Sequence, residues 1–132
     1  CRKQAITVGG KQRISVKSKQ AQNALHHAIL KMNAESDEKF YSRPVHIDRA
    51  FKQIVNGIKY IIVFKYAPTE CQKNFDERLL TKQELDECKV IESSKPLKCR
   101  VEVLDKPWLE KSAGTKLEEL ETSTSRYKLM NK

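Results

Sequence analysis

Acidic side chains are missing from the front of this chain: nothing before Glu35 carries a negative charge, whereas Arg2, Lys3, Lys11, Arg13, Lys17, Lys19 and Lys31 are all basic. Long apolar runs are missing too. The longest, around Ile61 to Phe64, is closed off by Lys59 and Lys65, far short of a membrane span. No CxxC pair is present among the four cysteines, which argues against a zinc site, and no Gly-rich phosphate loop or metal-ligand spacing appears. The numbering opens at Cys1 without an apolar leader, as expected of a secreted chain whose signal peptide has been removed or was never written.

What is present fits one globular unit. A length of 132 residues suits a single core, and 39% apolar with 33% charged residues is ordinary for a folded domain. The formal charge of +9 allows nucleic acid, anionic lipid or heparin-like partners. The cations stand singly between polar residues, without the interleaved aromatics on which bases stack, so neither a nucleic acid nor a membrane partner is expected. The even number of cysteines points to disulfides and an oxidising compartment. Cys1, Cys71, Cys88 and Cys99 leave three pairings open, and Cys71 with Cys88 brackets the polar stretch 72–87, the kind of loop that a disulfide staples.

Periodicity orders the elements. The segment 1–10 has no pattern and ends in Gly9-Gly10, which reads as a flexible trunk. Ile14 and Val16 suggest a short strand. Ala21, Ala24, Leu25, Ala28, Ile29 and Met32 then share one helical face behind Ser18 as a cap. Beyond the turn-rich stretch 33–38, Val45, Ile47 and Phe51 form one strand and Tyr60 to Tyr66 another. Asn56-Gly57 between them favours a tight hairpin. Val101 and Val103 mark a further strand ending before Pro107. A last strand is placed over 115–120, followed by a tail at 121–132. This is an α+β arrangement, one helix across an antiparallel sheet.

Three short elements carry chemistry that does not suit a loop. Gln53-Ile54-Val55-Asn56-Gly57 brings two apolar β-branched residues to a turn. Pro107-Trp108 can present an indole outward at a strand end. Thr7-Val8-Gly9-Gly10 is an apolar arm with hinges. Taken singly, these read as a strand end, a core tryptophan and a disordered terminus. In a meander, however, the two turns fall at the same end of the sheet, and the arm leads out beside them. His46 and Asp48 share a strand face and form a possible catalytic dyad, though a solvated face explains them better, and the adjacent His26 and His27 diverge by about 100° on the helix.

In this order along the chain, Val8-Gly9-Gly10, a helix ending near Asn33, Tyr41-Ser42-Arg43, Gln53 to Gly57 followed by Tyr60, the cysteines Cys71, Cys88 and Cys99, and Pro107-Trp108 resemble the cystatin family in its secreted, disulfide-containing branch. The resemblance runs over nearly the whole chain. It implies the cystatin fold, a five-stranded antiparallel sheet wrapped around one long helix, in one domain spanning 1–132. It implies a reversible, tight-binding inhibitor of papain-like cysteine proteases, including cathepsins, that is no enzyme, uses no cofactor and is secreted. Thr7, Val8, Gly9 and Gly10 would meet substrate-side subsites, Gln53 to Gly57 would lie across the catalytic cysteine, and Pro107 and Trp108 would seal the leaving-group side. A monomer is expected, with exchange of the hairpin as a route to a dimer. Cys71–Cys88 is the implied disulfide, whereas the usual cysteine after the Pro-Trp turn is absent, so Cys1 is expected to be free or intermolecular. Asp37 stands where some members carry a legumain-binding asparagine, so that second activity is not expected. The alternative is a cystatin-fold binding module that engages an anionic partner through its basic N-terminal third.

Overall fold

The computed structural model describes residues 10–73, 80–109 and 127–129. Its elements follow one another as β1 (Gln12–Ile14), α1 (Lys19–Glu35), β2 (Phe40–Val55), β3 (Gly57–Gln72), α2 (Lys82–Asp86), β4 (Leu97–Asp105), a 3₁₀ turn at Pro107–Leu109 and β5 (Tyr127–Leu129). The five strands form one antiparallel sheet in sequence order. Helix α1 packs on one face of it.

Helix α1 begins where the sequence says it should. The Ser18 hydroxyl accepts from the Ala21 N–H at 3.2 Å, satisfying one of the four donors a helix start leaves open. Its buried face is built from Ala21, Ala24, Leu25, Ala28 and Ile29, against Ala50, Tyr60, Ile62, Phe64, Val101 and Val103 of the sheet. The three alanines let the helix axis come close to the strands. No basic residue of the helix itself lies in its last turn. Instead, the ammonium of Lys73 donates to the carbonyls of Asn33 and Ser36 at 2.7 and 2.9 Å, supplying the positive charge that a helix C-terminus favours. The Asn33 side chain continues the link by bonding Ser42 in both directions, at 3.0 and 2.8 Å.

Three differences from the expectations have physical reasons. The last strand is Tyr127–Leu129, inside the stretch assigned to a tail, with Tyr127 and Leu129 packed on the core. Residues 115–120 and most of 121–132 lie outside the described residues. Tyr127 and Leu129 alternate about Lys128, which turns both toward the core. Within 72–87, Lys82–Asp86 is a short helix fixed by a capping box between Thr81 and Glu84. Cys71 and Cys88 are bridged across 17 residues, worth about 3 kcal/mol on the chain-entropy account. Cys99 is disulfide-bonded as well, with a partner outside the described residues. Cys1 itself also lies outside them, but a bonded Cys99 runs against an unpaired Cys1.

His27, like Lys31 and Asn33, is buried although the helical pattern did not place it inside. It is buried against Tyr127, ring centroids 5.6 Å apart, and its Nε2 finds no hydrogen-bond partner among the described residues. Burial, then the charge of Lys31 and then His26, lower its pKa from the ordinary 6.5 to about 4. The unfolded chain therefore takes up a proton near pH 6.5 that the folded chain refuses until about pH 4. Stability is full above pH 6.5, falls as pH drops through that window by roughly 3 kcal/mol, and levels off below it. Thermal unfolding followed by circular dichroism from pH 7.5 to 3.5 is expected to show this decline, and His27→Leu is expected to flatten it. An equally steep decline in the variant would assign the effect to other groups.

Candidate functional site

The β2–β3 hairpin projects its apolar tip into solvent. Register runs without a break from Arg49↔Val63 to Ile54↔Ile58 and Val55↔Gly57, so Asn56 alone crosses between the strands. This is tighter than the two-residue turn that Asn56-Gly57 suggests. Gly57 takes a φ of 120°, which residues with a side chain rarely adopt. It is also packed against the neighbouring strand: a Cβ there would stand 2.8 Å from the Asp105 carbonyl oxygen, with Leu104 and Lys106 just beyond. Ile54 and Val55 are thus both strand residues and exposed ones, at 69% and 45%.

The same close approach fixes the second turn. Ile58 pairs with Asp105, so the chain leaves β4 directly beside the hairpin tip and enters the 3₁₀ turn at Pro107. Trp108 in that turn is 61% exposed, which rules out the core reading. On the other side, Gln12 pairs with Lys52, so two residues earlier the chain reaches the level of Ile54. Gly10, with φ 85°, lies next to Gln53: a Cβ on it would stand 3.9 Å from the Gln53 side-chain amide nitrogen. Gly10, Gln53 to Gly57, Pro107 and Trp108 therefore meet at one end of the sheet. Thr7, Val8 and Gly9 lie outside the described residues. Sequence reasoning missed Asp105 and Lys106, whose backbone and side chain form the wall behind Gly57. Their position just before Pro107 was the available signal.

The other candidate chemistry lies elsewhere. His46 Nε2 and Asp48 Oδ1 are 3.2 Å apart, but His46 is largely open to water and Lys98 shares the same carboxylate at 3.7 Å. Such a pair is a largely solvated surface contact, and His46 stands at the edge of a cavity lined mainly by apolar residues. That cavity, of about 410 Å³ between α1, β2 and α2, is lined by Leu25, Ile29, Ile47 and Leu85 among others, and no residue of the exposed tip borders it.

The family model for the cystatin domain matches residues 9–108. The chain belongs to the cystatin family. Among relatives, kininogen-2 of Bos taurus is 38% identical over 106 residues, 80% of this chain but 16% of that protein. The chain thus spans about one-sixth of the length of the kininogen it matches. Cystatin of Pseudechis porphyriacus is 32% identical over 111 residues, 83% of this chain and 78% of that one. The crystal structure of dimeric human cystatin F shares the fold, with a TM-score of 0.69 at 23% identity over 97% of this chain and 87% of its own. With its Cys71–Cys88 disulfide the chain is a type 2-like cystatin, in a family of cysteine protease inhibitors.

The geometry at Gly57 predicts the cost of a side chain there. A Gly57→Ala chain combines an unfavourable φ with a contact no Cβ tolerates, and is expected to lose about 1–3 kcal/mol of stability. Urea unfolding measures it, and an unchanged midpoint would mean that the hairpin relaxes freely.

Proposed function

We propose that this chain is a secreted, reversible, tight-binding inhibitor of papain-like cysteine proteases of the cathepsin type, and that it catalyses nothing itself. The observation that carries the reading is the meeting of Ile54, Val55 and Trp108, large apolar side chains left in water at one end of a sheet whose inner face is otherwise well covered. Exposed apolar groups gathered on one rim favour a partner.

In this reading the rim enters the protease cleft as a wedge. Gln53 to Gly57 lie over the catalytic cysteine, Pro107 and Trp108 cover the leaving-group side, and Thr7, Val8, Gly9 and Gly10 fill substrate-side subsites. A cysteine nucleophile attacks only a peptide carbonyl held in line with it, and a hairpin locked by its own ladder does not deliver one. The cleft is blocked without cleavage. Because the hairpin and the tryptophan turn are fixed by strand pairing before any encounter, little order is lost on binding, which favours tight association at ordinary interface size. The disulfides fit an oxidising, extracellular setting. The working form is a monomer, and exchange of the β2–β3 hairpin between two copies is the route to a dimer.

Titration of papain with the chain at nanomolar concentrations is expected to remove activity linearly, reaching zero near equimolar. No loss at micromolar protein would overturn the reading. Trp108→Ala is expected to raise the inhibition constant about thirtyfold, the equivalent of about 2 kcal/mol for a buried aromatic anchor. An unchanged constant would place the indole outside the contact.

A further inference from the structure

The face of the sheet turned away from α1 carries an excess of positive charge that the tip does not use. Strand alternation sorts the residues. Ala50, Tyr60, Ile62, Phe64, Val101 and Val103 face the helix, so their chain neighbours face out. From the β1 side come Lys11 and Arg13, both over the Phe51 ring, at 4.5 and 5.9 Å from its centroid. Arg49 comes from β2, Lys59 and Lys65 from β3, and Lys98 and Arg100 from β4.

Against these seven cations, the described residues place two carboxylates on the same face. Glu102 accepts from Arg100 at 2.7 Å and lies 3.6 Å from Lys59, and Asp48 serves both His46 and Lys98. Seven minus two leaves, among the described Lys, Arg, Asp and Glu residues, an excess of five positive charges on this face.

A second observation shows that this excess is set against the fold's own interest. Lys65 and Lys98 are direct cross-strand partners, and the adjacent outward row holds Arg49 and Arg100 on either side of Val63. Like charges directly opposite one another destabilise a sheet. Neighbouring strands are about 4.8 Å apart and successive residues on one face about 6.7 Å, so these four cations share a small patch. A ligand carrying closely spaced negative charges would relieve the repulsion.

The chemistry of the face narrows that ligand. Its central apolar residues, Ile61 and Val63, are buried, so among the described residues the middle of the face offers no exposed apolar patch to a lipid layer. Phe51, the aromatic ring of this face among the described residues, is half-buried and covered by Lys11 and Arg13, so no ring is open for a base to stack on. A flat array of cations without stacking platforms suits a chain of sulfates.

We infer that the outward face of the sheet, centred on the exposed Arg49, Lys65 and Lys98 with Arg100 held beneath them by Glu102, binds a sulfated polysaccharide of the heparin class. The site is assembled from β2, β3 and β4 and is therefore not the basic N-terminal third that composition suggests. Lys65 lies eight positions along β3 from Gly57, about 27 Å at the rise of a strand, so polysaccharide and protease occupy separate surfaces.

The test uses the full chain and a size-defined heparin oligosaccharide in isothermal titration at several salt concentrations. Arg49→Gln with Lys65→Gln, both exposed, is compared with Lys19→Gln and Lys89→Gln, which remove the same charge elsewhere. The first pair is expected to weaken binding at least tenfold and to lower the slope of log affinity against log salt by about two, roughly one per released contact. The second pair is expected to change it less than twofold. Equal weakening by both pairs, or no binding by the unsubstituted chain, would overturn the site. Single-stranded DNA of matched charge binding as tightly would reassign the face to nucleic acid. Papain inhibition measured on the same variants is expected to be unchanged. Failure of the unsubstituted chain to inhibit would strike the protease reading and leave the heparin result to stand or fall by itself, whereas inhibition lost only in the Arg49/Lys65 pair would overturn the separation of the two surfaces.

Discussion

The register of β2 against β3 is the constraint from which the rest follows. The run Tyr60 to Phe64 is apolar on both faces, so hydrophobicity alone does not say which set turns toward the helix. The three alanines of α1 decide it, because they admit Ile62 and Phe64 closely, while Ile61 and Val63 are left on the outward side, in rows with Arg13, Arg49 and Arg100. A slip of β3 by one residue would exchange these sets and put Ile61 or Val63 opposite Ala50 on the helix side. The register of β3 against β4 in turn brings Gly57 against Asp105 and so lays the tryptophan turn beside the hairpin tip.

The strongest stabilising contacts and the exposed apolar rim lie at opposite ends of the sheet. Away from the tip, Cys71–Cys88 closes the loop carrying α2, Arg43 donates to the Cys88 carbonyl at 2.7 Å, Asn33 clasps Ser42, and Lys73 holds the helix C-terminus. These contacts are covalent, buried or charge-assisted. The tip owes its position to ladder hydrogen bonds and one glycine. Such a division leaves the apolar rim free of obligations to the core.

Much of this was legible in the residues. Ser18 and the alanine-rich stripe define α1, and the strand formers on either side of Asn56-Gly57 define the long hairpin, because local sterics and periodicity act over a few residues. The cystatin motifs place the tip and Trp108 in the right order. Less was legible where the signal is short or opposed by context. β5 is three residues long, and α2 is a single capped turn within a loop. His27 and Lys31 are buried although their types favour the surface, because α1 is covered by β5 and by its own polar neighbours as well as by the central strands.

By itself the sequence determined most of the segments that become helix or strand, that they form an α+β arrangement, and that an apolar pair sits at a turn, since backbone sterics, periodicity and hydrophobic pattern are properties of neighbouring residues. The tertiary structure alone decided that Trp108 stands in water, that Gly57 admits no side chain, and that cations drawn from segments as distant as Arg13 and Arg100 share one face. Those outcomes depend on distances between residues far apart in the chain, which only strand pairing and the packing of the helix fix.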